Sequence, residues 1–134
     1  MLTAIGDVMR RVYERGWITT RDGNISMRKR EGKYLYITPS GWRKTIVHPE
    51  HIVRIEIVRA PLTGELTPKV HEGQQPSGEL WMHWNLQRDP KKTRTVVHVH
   101  ATHIVAAIYA GFDLQAISAE FPEISRYTRV GPTV

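Results

Sequence analysis

The chain has 134 residues, 40% hydrophobic and 24% charged, which suits one soluble globular core and argues against two domains. It contains no cysteine, so disulfide scaffolds and thiolate metal sites are excluded, and any metal must rest on His, Asp or Glu. Nineteen Lys and Arg against thirteen Asp and Glu give a net charge of +6. The basic residues are scattered, with short runs at Arg28-Lys29-Arg30, Arg43-Lys44 and Lys91-Lys92, and no zinc-finger, helix-turn-helix or RNP-like pattern accompanies them. The charge therefore reads as a solvated basic surface or as an attraction for a small phosphorylated anion, with no nucleic-acid partner. The start of the chain has no signal-type apolar run, and no segment is long and apolar enough to span a membrane, so no membrane partner is expected and cytoplasmic residence is.

Leu2, Ile5, Val8, Met9 and Val12 recur at helical spacing and predict a helix over 2–15, closed by Gly16. Ile25–Arg28 and Tyr34–Ile37 read as two strands of a hairpin around the polar turn Lys29–Lys33. His51–Val58 alternates apolar and polar residues as a half-buried strand does. Residues 60–76, rich in Pro, Gly and charge, read as a long surface connection holding at most one short strand. Ser77 is the expected N-cap of an amphipathic helix through Leu86, in which Trp81 and Trp84 both face the core. Arg94–His100 reads as a β-branched strand and Ile104–Tyr109 as a helix ended by Gly111, with a further turn or two over 113–118. The run Arg129–Val134 looks like the lead into another strand. Helices and strands intermix, so the fold class is α/β: a mixed, largely antiparallel sheet covered by helices, in one domain over 1–134.

The segment TRTVVHVHATH at 93–103 carries the first chemical signal. In an extended chain residues two apart share a face at roughly 6.6 Å, so His98 and His100 converge while Val97 and Val99 face away. Two imidazoles so placed can share one cation at about 2.0–2.1 Å, or hydrogen-bond at a strand end with no metal at all. Gly23-Asn24 before a strand, Thr38-Pro39-Ser40-Gly41 after one, and Pro76-Ser77-Gly78 at a helix start each offer backbone N–H groups and hydroxyls to an anion, and each is also ordinary turn chemistry. Glu79 in a first helical turn suits the helix dipole, and beside a cation it suits proton transfer.

In the order GNIS at 23–26, ITPSG at 37–41, PSGE at 76–79 and VVHVHATH at 96–103, these segments resemble the class II aldolase/adducin head family, which includes L-fuculose-phosphate aldolase and L-ribulose-5-phosphate 4-epimerase. The resemblance implies a three-layer fold and a metal-dependent lyase that cleaves a small ketose phosphate or sugar-acid phosphate through an enediolate. It implies His98 and His100 as two ligands of a divalent metal, usually Zn2+, and Glu79 as the acid/base. Gly23, Asn24, Ser40, Gly41, Ser77 and Gly78 correspond to the substrate's phosphate cradle. It also implies a homotetramer. An epimerase or dehydratase on the same site, and a non-catalytic adducin-like interaction module, are the competing expectations.

Three departures bear on that expectation. Gly78 stands where many members have a second serine, which removes a hydroxyl from the cradle. The family tyrosine that protonates the leaving aldehyde falls near Ala119. The third metal histidine lies several dozen residues beyond the HxH pair, past Val134, and His103 is read as packing the next helix. The chain is therefore expected to be the N-terminal portion of the family fold, with little or no aldolase activity by itself.

Overall fold

The computed structural model describes residues 2–29 and 32–132. Arg30 of the first basic run and Thr133 and Val134 of the C-terminal run lie outside the described residues. The chain forms two compact units, one ending at Val99 and one beginning at His100.

The first unit opens with α1 (Leu2–Glu14), whose buried stripe is Ile5, Met9 and Val12, the periodicity seen in the sequence. Gly16 turns at φ +69°, and the Trp17 amide donates to the Val12 carbonyl at 3.0 Å, which satisfies one of the last helical acceptors. Five strands follow: β1 (Asn24–Arg28), β2 (Tyr34–Ile37), β3 (Val53–Arg59), β4 (Leu66–Lys69) and β5 (Thr95–His98). They form one sheet in the order β4-β3-β2-β1-β5, and every neighbouring pair is antiparallel. The expected hairpin is β1 with β2, in the register Ser26 opposite Ile37 and Arg28 opposite Leu35.

Two strands are shifted by two residues at one end, for local reasons, and β1 by one residue. Pro49–His51 is a turn of 3₁₀ helix, so β3 starts at Val53 and not at His51. β5 stops at His98 because its partner β1 begins at Asn24, which lies directly opposite; beyond that rung there is no strand to pair with. The connection over 60–76 contributes β4 as its one short strand.

Alternation along the strands sorts the sheet into two faces. Ile25, with Met27 and Tyr36 beside it, meets Ile5, Met9 and Val12 of α1 on one face. Leu35, Ile37, Ile55 and Ile57 pack on the other against Leu80 and Trp84 of α2 (Leu80–Leu86). Full burial of each such side chain contributes roughly 1.5–3 kcal/mol. The helix α2 starts two residues later than the sequence predicts. The Ser77 amide is tied to the Thr38 carbonyl at 3.0 Å, so Ser77 belongs to a strand-like segment; the N-cap is Glu79, whose side chain makes no capping bond. The two tryptophans also part company: Trp84 is 2% exposed and Trp81 57%. Three residues on a helix turn about 300°, and α2 touches the sheet with only one narrow stripe.

The second unit contains α3 (Thr102–Tyr109), α4 (Leu114–Glu120) and α5 (Pro122–Ser125). Gly111 at φ +81° follows α3, and the Asp113 carboxylate caps α4 by accepting from the Ala116 amide at 3.0 Å. Arg129–Pro132 forms no strand, and no described residue of this unit is buried. None of the described helices is long and apolar enough to cross a membrane.

Candidate acid/base site

Strand β1 and helix α2 meet through matching periodicities. Two residues of strand advance about 6.6 Å and four residues of helix about 6.0 Å, so side chains at i, i+2, i+4 of one can face i, i+4, i+8 of the other. Here Asn24, Ser26 and Arg28 meet Glu79, His83 and Gln87. Asn24 Nδ2 donates to Glu79 Oε2 at 2.7 Å. Asn24 Oδ1 is bonded to His83 Nε2. Ser26 Oγ lies 2.7 Å from His83 Nδ1 and donates to Gln87 Oε1 at 2.6 Å. Arg28 Nη1 donates to the Gln87 carbonyl at 2.8 Å. Asn24, Ser26, Arg28, His83 and Gln87 are all buried, so the central residues of this polar seam lie away from water.

Glu79 is the partly exposed end of the seam. Its Oε2 also takes a hydrogen bond from Nδ1 of His98, which stands opposite Asn24 across the β1/β5 pairing. Burial raises the carboxyl pKa, but the bonds from Asn24 and His98 and the charges of His98 and His83 outweigh it, so the acid is held below its usual range. Glu79 is a carboxylate at neutral pH. Burial pushes His83 down to about 4, against the pull of Glu79 and with the push of His98, so this imidazole is neutral at neutral pH.

The anion-cradle candidates lie on three neighbouring segments. Gly23 holds φ +71°, and a Cβ there would lie 2.4 Å from Ile18 Cγ2 and 3.1 Å from the His98 carbonyl oxygen, so only glycine lets this turn pass under the end of β5. Thr38 ties the next segment on: its hydroxyl accepts from the Ile25 amide at 3.2 Å and its carbonyl from the Ser77 amide. The Ser40 amide donates to the Gln75 carbonyl at 2.9 Å, and Pro39 bridges Pro76, so Ser40-Gly41 runs beside Ser77-Gly78. Ser40, Gly41 and Gly78 are exposed, whereas Ser77 is buried and its Oγ accepts from the Glu79 amide at 3.3 Å. The Asn24 side chain, one of the cradle candidates, is committed at both ends to Glu79 and His83.

Sequence reasoning misses four members of the site. His83 and Gln87 pass as part of an amphipathic helix, although the spacing Glu79, His83, Gln87 is itself a polar stripe at helical period. Ser26 lies in GNIS at 23–26, where no chemistry is assigned to it. Lys44 reads as solvated surface, yet it is 4% exposed, with Nζ 3.3 Å from the Pro39 carbonyl. Burial lowers its pKa, partly offset by the nearby charges of Asp22 and Glu79. It lies beneath the cradle candidates at Pro39-Ser40, unrecognisable as buried beside Arg43.

The donor chemistry at His98 fits a metal. Its Nδ1–H given to a carboxylate fixes the tautomer with the lone pair on Nε2, the arrangement common to metal-binding histidines. His100 is the first residue of the second unit. Among the described residues no group of three or more His, Asp or Glu is placed to hold a metal ion.

The chain is 29% identical over 105 residues to an L-fuculose phosphate aldolase of Methanococcus maripaludis, a match covering 78% of this chain and 52% of that protein. It is 30% identical over 87 residues to a methylthioribulose-1-phosphate dehydratase of Methylococcus capsulatus, covering 65% and 38% respectively. The crystal structure of L-fuculose-1-phosphate aldolase from Thermus thermophilus superposes with a TM-score of 0.60 at 26% identity, over 81% of this chain and 50% of that one. This chain thus spans about half the length of such relatives or less. The profile of the Class II Aldolase and Adducin N-terminal domain matches residues 3–131, and the chain belongs to that family.

Proposed function

We propose that the chain carries the acid/base half of a metal-dependent lyase site that acts on a small ketose phosphate or sugar-acid phosphate. The observation that supports this best is Glu79: an ionised carboxylate, aimed by Asn24 and His98, at the partly open end of a buried polar seam. Such a group can take a proton from the carbon or hydroxyl of a bound hydroxyketone. His98 and His100 are the proposed metal ligands, and a divalent metal such as zinc, when bound, polarises substrate oxygens and stabilises an enediolate. The proposed anion subsite comprises Gly23, Ser40, Gly41, Ser77 and Gly78, with Lys44 supplying positive charge; Asn24 serves it through its backbone while its side chain aims the base. A relative named as an aldolase and another named as a dehydratase are both compatible with one proton-abstracting carboxylate, so the reaction proposed is cleavage, with dehydration as the second reading.

The test is deuterium wash-in at the hydroxyketone carbon of dihydroxyacetone phosphate, followed by NMR with added zinc, cobalt or manganese. Metal-dependent exchange is expected, slow for a chain with two imidazole ligands and reduced about 10²-fold by Glu79→Gln. Equal exchange in parent and variant rejects Glu79 as the base. Calorimetry tests the metal separately. Zinc should bind with modest affinity and His98→Ala should abolish it; undiminished binding by the variant removes His98 from the ligand set.

Homotetrameric assembly and a cytoplasmic location complete the proposal. Trp17, Trp42 and Trp81 are exposed, as are Ile104, Phe112 and Phe121 in the second unit, and self-association would cover apolar surface of this kind. Light scattering at tens of micromolar should report an oligomer, and a monomer refutes this part.

A further inference from the structure

The cradle candidates Gly23, Asn24, Ser40, Gly41, Ser77 and Gly78 are all neutral, so they offer hydrogen bonds but no charge. A phosphate monoester carries up to about two negative charges near neutral pH, and telling it from a hydroxyl or a carboxylate calls for cations. Lys44 lies beneath the cradle, but the carboxylates of Asp22 and Glu79 both act on its ammonium, so that charge is answered within the protein. Positive charge without an acid partner has to come from elsewhere.

It is found beside Ser40-Gly41. An open cavity of about 440 Å³ is walled there by Arg21, Ser40, Gly41, Trp42, Arg43 and Gln75, and none of its lining residues is acidic. Trp42 stacks on His51 with the ring centroids 3.8 Å apart, which holds one wall in place. Arg21 Nη1 donates to the Gly41 carbonyl at 3.2 Å, so the guanidinium is kept at the lip of the cradle with its other N–H groups uncommitted. Among the described residues neither Arg21 nor Arg43 forms an ion pair. Gly41 turns at φ +74°, and a Cβ built on it would meet nothing within 4 Å, so the backbone there is open to approach. Among the described residues nothing accepts from the amides of Gly41, Trp42 and Arg43. Successive N–H groups on such a bend suit an anion, and a planar guanidinium beside them matches two phosphate oxygens at once.

We propose that this cavity is the charge-reading part of the anion subsite and that Arg21, assisted by Arg43, is the specificity-determining residue that selects a phosphate end over an uncharged or carboxylate end. Arg21 is the stronger of the two because its bond to Gly41 orders the guanidinium before any ligand arrives, whereas Arg43 has no such tether among the described bonds. The inference rests on the functional reading above, and its test reads binding without turnover, so the two can fail independently.

The experiment is a titration of the 15N-labelled, metal-free chain with inorganic phosphate, followed through backbone amide resonances and repeated with acetate at equal ionic strength. Phosphate should shift Gly41, Trp42 and Arg43, and should bind more tightly than acetate. Arg21→Gln should weaken phosphate binding about tenfold, the loss of one charge-assisted contact, and should narrow the preference over acetate. Arg21→Lys keeps the charge but not the fork and should weaken it less. A residue that merely tethers Gly41 would lower both affinities alike, so an unchanged phosphate-to-acetate ratio in Arg21→Gln overturns the proposal. A parent whose residues 41–43 do not respond to phosphate overturns it whether or not the variants fold. That result beside Glu79-dependent exchange leaves the base reading standing, whereas Arg21-dependent phosphate binding without such exchange leaves only the anion site.

Discussion

Replacing Trp84 by alanine is expected to cost about 3–5 kcal/mol of folding stability, the range for deleting a large aromatic from a closed core. The ring is 2% exposed among Leu35, Ile37, Ile55, Ile57 and Leu80, and it is the main side chain joining α2 to that face of the sheet. The Arg28 guanidinium carbon lies 5.1 Å from the ring centroid, so the truncation also strips a buried cation of its aromatic cover. Because α2 carries His83, with Glu79 and Gln87 at its two caps, loosening it should disturb the candidate site together with the fold. Trp81→Ala, one turn away and largely exposed, should shift stability by no more than about 0.5 kcal/mol. Urea unfolding of the two variants checks the contrast; a Trp84→Ala midpoint matching that of Trp81→Ala would show that α2 is not anchored by this residue.

Acidification should destabilise the chain well before ordinary carboxylates titrate. His83 has a folded pKa of about 4 against 6.5 for an unburied histidine, so the unfolded state binds the proton first. The stabilisation is complete above pH 6.5 and is lost as pH falls toward and through 4, amounting to about 3 kcal/mol by then. Glu79, whose folded pKa is also depressed, adds its own loss only at lower pH, below its ordinary 4.5. The urea midpoint should therefore fall between about pH 7 and 4.5 in the parent and stay nearly level in His83→Gln. A parent midpoint that does not move over that interval would mean that the imidazole is not held neutral.

Much of the architecture was legible before any coordinates. Ile5, Met9 and Val12 could be read as one helical stripe, and the alternation of Leu35 and Ile37 with Tyr34 and Tyr36 as a half-buried strand, because those patterns come from residues close in sequence. Four short motifs in order carried the family. The limits of elements were less legible: β5 ends at His98 because β1 begins opposite it at Asn24, a fact located far away in the chain. The same holds for Ser77, whose amide is drawn to Thr38, distant in the chain, while Glu79 takes the N-cap position of α2.

Local sequence specifies an inventory and its order: strands that can pair antiparallel, helices with apolar stripes, a carboxylate at residue 79 and histidines at 98 and 100. Which of these share an environment depends on how the chain folds back on itself. Glu79 becomes an aimed carboxylate, and His83 a neutral buried imidazole, because the strand repeat of about 6.6 Å in β1 and the helix repeat of about 6.0 Å in α2 run side by side and bring Asn24 and Ser26 against them. Lys44 and Trp84 likewise differ from Arg43 and Trp81 only in which side of the chain the core closes over. Local sequence sets period and propensity, whereas burial, pKa and hydrogen-bond direction arise from neighbours that chain separation conceals.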